Sequence, residues 1–253
     1  MKESDILPMK WLHIPVALSL LTRLPLRLQD SWFDHSPQAH WAYPAVGLVL
    51  ASLLSVLIGA LFWLGLSPQI IALFAIAGAV IMTGAMHLDG LADTLDGFWG
   101  GYSPERRLEI MKDSHIGTYG VLGLVCAVLL QWTALSALAQ RGELITALFV
   151  IMPLSRAAML VPMSKLPHAR ASGLAHMSGR AATTAMWIAF GLSAGIAVVL
   201  YGGAGVICVL VTYGVAQGIS AVADRKIGGQ TGDVLGATQQ ITAMAICCVL
   251  SVP

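Results

Sequence analysis

Trp41 to Leu66 reads WAYPAVGLVLASLLSVLIGALFWLGL, 26 residues without a charged side chain. A bilayer's hydrocarbon core, about 30 Å thick, is crossed by about 20 consecutive apolar helical residues. The stretch is therefore a transmembrane helix. Six comparable runs follow, at 68–86, 117–139, 143–163, 182–202, 204–222 and 234–252. Seven spans predict an all-α, polytopic membrane bundle forming one domain over residues 1–253. Residues 1–40 form an N-terminal cytoplasmic or interfacial segment. Within it, Trp11 to Leu28 is apolar but carries His13, Pro15, Arg23, Pro25 and Arg27. That pattern fits an interfacial or re-entrant helix better than a span.

Composition agrees. Of the 253 residues, 57% are AVILMFWYC and 11% are charged. A soluble chain of ordinary composition has about 25% charged residues. So few charges cannot cover a soluble domain's surface, and the apolar content excludes disorder. The net charge of +1, with no polybasic patch, gives no footprint for nucleic acid. The four cysteines all sit in apolar runs without CxxC spacing and read as core residues. Met1 to Lys10 is mixed in charge and has no cleavable-signal pattern. Glycine pairs at four-residue spacing, Gly191/Gly195 and Gly214/Gly218, read as close helix contacts. Gly117, Gly120 and Gly123 read the same way.

Charge placement sets an orientation. With the N-terminus inside, 12 of the 14 Lys and Arg fall in inner segments. The outer loops hold only Arg141, and Arg156 lies within a span. Twelve of the 13 acids and all 7 histidines are also on the inner side. This positive-inside pattern predicts a multi-pass protein of the bacterial inner membrane, with its chemistry on the cytoplasmic face.

That chemistry centres on Gly84 to Gly120, GAMHLDGLADTLDGFWGGYSPERRLEIMKDSHIGTYG. Asp89, Asp93 and Asp96 stand four and three residues apart. On a helix turning about 100° per residue they fall within a face about 60° wide. Like charges so placed repel, and a divalent cation is the strongest compensation. An all-carboxylate oxygen set suits a hard ion, Mg²⁺ or Mn²⁺. The bland alternative is a solvated loop paired with Arg106, Arg107 and Lys112. Lys112-Asp113-Ser114-His115 lies at the mouth of the third span. Gly228-Gly229-Gln230-Thr231-Gly232-Asp233 precedes the seventh, with glycines that free backbone N–H groups for an anion; Asp233 is alternatively a helix N-cap. Arg156, costly inside a membrane, reads as functional. Carboxylates for metal and basic residues for phosphate together point to metal-dependent phosphoryl or nucleotidyl transfer.

These residues resemble the cobalamin synthase family, the adenosylcobinamide-GDP ribazoletransferases. The matching blocks are Leu21-Thr-Arg-Leu-Pro25, His87 to Gly97, Ile110 to Gly120, Ser155-Arg156, Ala169-Arg170 with Gly173-Leu174, and Gly228 to Ala237. They lie in order over most of the chain, and the central blocks are the specific ones. The resemblance implies a reaction. A ribose hydroxyl of α-ribazole, or of its 5′-phosphate, attacks the cobinamide-side phosphorus of adenosylcobinamide-GDP, and GMP leaves. It also implies Mg²⁺ on Asp89, Asp93 and Asp96. Arg23, Arg156, Arg170, Gly229, Thr231 and Asp233 would meet substrate. Lys112, Asp113 and His115 would serve catalysis, with Asp113 or His115 taking the hydroxyl proton. The family's acid after Gly236-Ala237 is missing here, where Thr238-Gln-Gln-Ile-Thr-Ala243 stands; Gln240 is the nearest substitute. Self-association is left open, as homo-oligomer or monomer.

Two rival readings differ in class. Asp93-Thr-Leu-Asp96-Gly97 imitates the opening of the CDP-alcohol phosphotransferase motif, but its Ala-Arg and later acids are absent. A divalent-cation transporter would need acids along a path to the outside, and the outer loops hold only Arg141 and Glu143.

Overall fold

The computed structural model describes residues 11–252, so the reading of Met1 to Lys10 lies outside the described residues. In chain order come α1 (His13–Leu21), a 3-10 stretch (Asp30–Ala42), α2 (Tyr43–Trp63), α3 (Pro68–Thr83) and α4 (Met86–Gly100). Then follow α5 (Pro104–Ile110), α6 (Thr118–Gln140), α7 (Leu144–Ala158), α8 (Leu160–Lys165) and α9 (Leu174–Ser178). The chain ends in α10 (Thr183–Tyr201), α11 (Gly203–Ile227) and α12 (Gly232–Ser251). Among the described residues the only extended pairing is one parallel bridge, His168 to Gln230. Helix α1, with nine residues, is too short to cross.

The starts follow local chemistry. Proline stands in the first turn of α2, α3 and α5, where a missing N–H costs nothing. Ser103 caps α5 by accepting from the Arg106 N–H at 3.2 Å. Inside the spans, hydroxyls turn back on their own helix, as when Thr212 donates to Cys208 O at 2.7 Å and Thr238 to Val234 O at 2.7 Å. These two hydroxyls are thereby satisfied without water.

Five helical stretches are long and apolar enough to cross a membrane, or six if α3 and α4, bent by 88°, form one broken span. One of the five, Thr183–Ile227, has 45 residues and reverses at Gly202, where φ is 52°. A Cβ on Gly205 would stand 2.1 Å from Ala197 O, a contact that a straight helix would hold about 12 Å apart. Helices α10 and α11 are therefore two packed arms. Counting them separately, with α3–α4 as one, gives the seven segments the hydropathy predicts.

Helices α7–α8 and α12 form the inside of the bundle, with 83% and 67% of their apolar windows buried, against 28% for α6 and 17% for α10–α11. The outer helices turn Val56, Ile81, Val199 and Leu210 outward, as lipid requires. Close approach between helices is set by glycines that the spacing argument did not single out. A Cβ on Gly47 of α2 would meet the Met152–Pro153 backbone of α7 at 2.5 Å, and one on Gly90 of α4 would meet Asp233 O at 2.8 Å. By contrast Gly191, Gly195, Gly214 and Gly218 have nothing within 4 Å. The expectation that those four bring helices together is corrected: they sit on outward faces of α10 and α11. None of the described cysteines is disulfide-bonded.

The two ends of the bundle differ. At one, Arg141 donates to Ser251 O at 2.9 Å and to Leu250 O, and Trp132 Nε1 donates to Gln69 O at 2.9 Å. Those are the segments assigned to the outside from charge. About 30 Å away along the 20 residues of α12, its first turn meets α4 and the loop after α8.

Candidate active site

The sharp corner between α3 and α4 is made by Gly84 at φ 63° and Ala85 at φ 61°, both left-handed. It swings α4, with its acids, across the bundle end and against the start of α12. Gly90 and Gly236 make this possible, since a Cβ on Gly236 would crowd His87 Cα and Met86 O at 3.2 Å.

The third wall is the segment after α8. Gln230 N–H donates to Pro167 O at 2.8 Å and Ala169 N–H to Gln230 O at 2.9 Å, zipping the two loops together. Between these walls and α1 lies a cavity of about 270 Å³. One side of it is apolar, with Leu21, Met159, Met163 and Leu235; the other carries Asp89, Asp233, Arg170, His168 and His176.

Arg170 is the electrostatic centre of the polar side. It donates to Asp233 Oδ2 at 3.0 Å and to Leu108 O at 3.0 Å, while its buried Nε has no partner. Asp93 is repelled by the charges of Asp233, Asp89 and Asp96 and attracted by Arg170. Thr231 is the N-cap of α12, accepting from Val234 N–H at 3.3 Å, and its hydroxyl donates to Asp233 Oδ2 at 3.2 Å. Asp233 is thus not the cap, and its carboxylate faces the cavity.

Asp96 has a different task from its two neighbours. It is 7% exposed and accepts from Gly117 N–H at 2.7 Å and Gly120 N–H at 2.9 Å. It thereby satisfies the open first turn of α6. A Cβ on Gly117 or Gly120 would strike this carboxylate, at 2.5 and 2.3 Å. Those glycines permit close packing, as expected. The expected grouping of Asp89, Asp93 and Asp96 on one face therefore meets a competing role: Asp96 is taken up by the start of α6, while Asp233 of α12 faces the same cavity as Asp89.

No three His, Cys, Asp or Glu side chains among the described residues are gathered closely enough to hold a metal ion. The donor set nevertheless suits Mg²⁺. The groups are all carboxylate oxygens, mutually repelling, with one arginine to offset them. Mg²⁺ needs only one or two protein carboxylates, completing its shell with waters and substrate phosphates. The bland reading fails here, since Arg106 pairs with Glu109 at 2.9 Å and Arg107 donates to the carbonyls of Gly101 and Lys226.

Several other expected residues stand elsewhere. Asp113 and His115 pair with each other at 2.7 Å, both well exposed, and neither lines the cavity. Their hydrogen bond, then their charges, hold the His115 imidazole above its ordinary value, and the same bond holds Asp113 below its own. Lys112 is exposed beside them. Gly229 does not line the cavity, because it presses on Pro167 O, 2.5 Å from its notional Cβ. Of its neighbours' N–H groups, that of Gln230 joins the loop zipper and that of Gly228 closes α11 on Asp224 O. The Arg23 side chain lies over Gly84, bracing the α3–α4 corner. Arg156 is 1% exposed and faces a second, inner chamber. Its lack of a place in the cavity has a plain cause: it lies on α7, behind His87.

Two residues that the sequence reading passed over do line the cavity. His168 and His176 meet edge to face with centroids 5.1 Å apart. His168 Nδ1 lies 2.7 Å from Gln230 Nε2, which as an amide donates. Burial first, then His176 and Arg180, hold His168 below the ordinary imidazole value. The His176 ring nitrogens make no hydrogen bond among the described residues. The signal was present as two histidines flanking Arg170 in a short inner loop.

With this geometry in view, comparisons with known proteins agree. The profile of the family described as cobalamin-5-phosphate synthase matches residues 13–251. A curated relative from Bradyrhizobium diazoefficiens, adenosylcobinamide-GDP ribazoletransferase, is 39% identical over 241 residues, covering 92% of this chain and 91% of its own. Proteins of the same name from Mesorhizobium japonicum and Brucella anthropi are 36% and 37% identical, covering 94% and 91% of this chain and 92% of their own lengths. No solved structure matches the chain.

Proposed function

The chain belongs to the cobalamin-5-phosphate synthase family, and from that premise we propose how it acts as an adenosylcobinamide-GDP ribazoletransferase. It joins adenosylcobinamide-GDP to α-ribazole, or to α-ribazole 5′-phosphate, and releases GMP. Neither a CDP-alcohol phosphotransferase nor a cation transporter is favoured. The observation that carries the mechanism is the convergence of Asp89, Arg170, Asp233 and His176 on one half-apolar cavity at a bundle end.

One or two of Asp89, Asp93 and Asp233 would hold Mg²⁺, with waters and substrate phosphate completing its shell, and the ion would neutralise the diphosphate and the departing GMP. Arg170 has its two terminal nitrogens on Asp233 and Leu108 O. When substrate phosphate enters, Arg170 exchanges Asp233 for phosphate oxygens, an exchange that suits its forked donors. Asp233, still held by Thr231, keeps its position through that exchange. The apolar side, with Met159, Met163 and Leu235, receives the aromatic base of the ribazole and excludes water from the reacting phosphorus. His176 is the proton acceptor for the ribose hydroxyl, in place of Asp113 or His115, because it alone of the three lines the cavity. His168 and its bond to Gln230 fix the ring against which His176 packs.

The chain works as a single domain in the bacterial inner membrane, N-terminus and cavity on the cytoplasmic side and C-terminus outside. Reporter fusions at Gln69 and Gly202 should read outside, and at Gly101 and Ser172 inside; a cytoplasmic signal at Gly202 would overturn this orientation. The reaction is tested by GMP release from adenosylcobinamide-GDP by purified protein, with α-ribazole and its 5′-phosphate offered separately. Release in the presence of Mg²⁺, lost on chelation, is expected with at least one acceptor. No release with either would refute the reading.

A further inference from the structure

Behind the cavity, separated from it by His87, lies a second chamber of about 60 Å³. It is lined by residues of α3, α4, α6, α7 and α12. Its polar lining is Thr83, His87, Gln131, Gln239, Gln240 and Arg156, and no carboxylate takes part.

Arg156 is the largest fully buried side chain among the described residues. It donates through NH1 to Met152 O at 3.0 Å and lies 3.4 Å from Met152 Sδ. Its Nε is buried without a partner, and no Asp or Glu among the described residues pairs with it. A guanidinium does not shed its charge in a protein, and an isolated buried charge is unfavourable. The other polar groups are neutral, and none supplies a negative charge. Thr83 donates to Ala79 O, Gln131 to Ala127 O and Gln239 to Ser155 Oγ. What remains open is the Arg156 Nε donor and the His87 Nε2 nitrogen, both buried and unpartnered, beside the Gln240 amide. A pocket with a spare donor, one fixed positive charge and no carboxylate is built for an anion. Its volume exceeds the roughly 30 Å³ share of one water molecule, but it is far too small for the nucleotide substrates.

We propose that the chamber around Arg156 binds a small monovalent inorganic anion, which supplies the counter-charge that the protein itself does not. Gln240 lines the same chamber as Arg156. The chamber's need for a counter-ion is independent of the reaction in the neighbouring cavity.

Chloride is the probe. The full-length protein, purified in detergent, is melted in sodium chloride and in sodium gluconate at equal ionic strength, gluconate being too large to enter. The expected result is a melting midpoint that rises with chloride and saturates. Gln240→Glu, which provides the counter-charge within the chain, should raise the midpoint in gluconate and abolish the chloride response. Arg156→Gln should abolish the response as well; if that variant does not fold, Gln240→Glu decides alone. Equal midpoints in the two salts for the unaltered protein would overturn the proposal, leaving a guanidinium hydrated by water only. An undiminished chloride response in Gln240→Glu would overturn it too, by placing the salt effect elsewhere.

Discussion

The two chambers on either side of His87 solve the problem of charge in a membrane protein differently. In the outer cavity the arginine is paired: Arg170 holds Asp233, which also accepts from Thr231, and the proposed mechanism has substrate phosphate replace Asp233 there. In the inner chamber Arg156 has no acid partner among the described residues and little room around it. The first arrangement is reversible and opens toward the polar end of the bundle. The second is smaller, about 60 Å³ against about 270 Å³. Exchangeable pairing marks a site for reaction, whereas burial without pairing marks a demand placed on the fold.

The largest effect expected on this contrast is at the acids of the outer cavity. Asp93→Asn and Asp89→Asn should each lower GMP release at least about a hundredfold, the scale on which removal of a group that stabilises transition-state charge is felt, while leaving insertion and folding intact. Near-normal release by Asp93→Asn at saturating Mg²⁺ would remove it from the metal site.

Asp96 should behave oppositely to its two neighbours. Asp96→Ala leaves two N–H groups of the α6 first turn without an acceptor, which costs about 3 kcal/mol or more. Melting should fall markedly, and release per folded molecule should fall less than in Asp93→Asn. A stable but inactive Asp96→Ala would return Asp96 to the metal set.

The smallest effect belongs to the Asp113–His115 pair outside both chambers. In an NMR titration the His115 midpoint should lie above the ordinary imidazole value of about 6.5, and Asp113→Asn should bring it back. The sign follows from the two shifts. His115 is held up, so its share of the interaction is present at low pH and lost as pH rises through its raised value. Asp113 is held down, so its share is lost as pH falls through its lowered value. The pair therefore operates between those limits. Because both groups are exposed, neither limit should be visible in the melting temperature. A GMP-release profile that followed the His115 midpoint would contradict its exclusion from the cavity.

The bundle was legible because hydropathy acts over whole helices: each predicted span differs from its helix by a few residues, except 68–86, which ends at a bend of 88° and continues as α4. Charge asymmetry likewise predicted which loops share an end, and the contacts of Arg141 and Trp132 gather them there. The site was legible in composition and less so in grouping. Angular spacing put Asp96 with Asp89 and Asp93, yet spacing on one helix says nothing about what a neighbouring helix offers. The amides at the start of α6, exposed by Gly117 and Gly120, claim Asp96 for themselves. Arg156 was read as a phosphate ligand because a lone charge in a span is costly, and that cost is the same whether substrate or an inorganic ion offsets it. Its depth on α7, set in part by the packing of Gly47 against Met152 and Pro153, turns it to the inner chamber rather than the cavity, which only the structure reveals. His168 and His176 went unnoticed because a loop has no periodicity, so only the zipper to Gln230 reveals where they face.

The most direct test of the separation between the two chambers is steady-state GMP release by Arg170→Lys and Arg156→Lys side by side. A forked contact to phosphate does not survive replacement by a point charge. Arg170→Lys should therefore lower kcat/KM for adenosylcobinamide-GDP at least about tenfold, equivalent to roughly 1.4 kcal/mol, and Arg156→Lys should leave KM for that substrate unchanged. A normal kcat/KM in Arg170→Lys, together with a KM raised about tenfold in Arg156→Lys, would place the phosphates in the inner chamber and contradict the account.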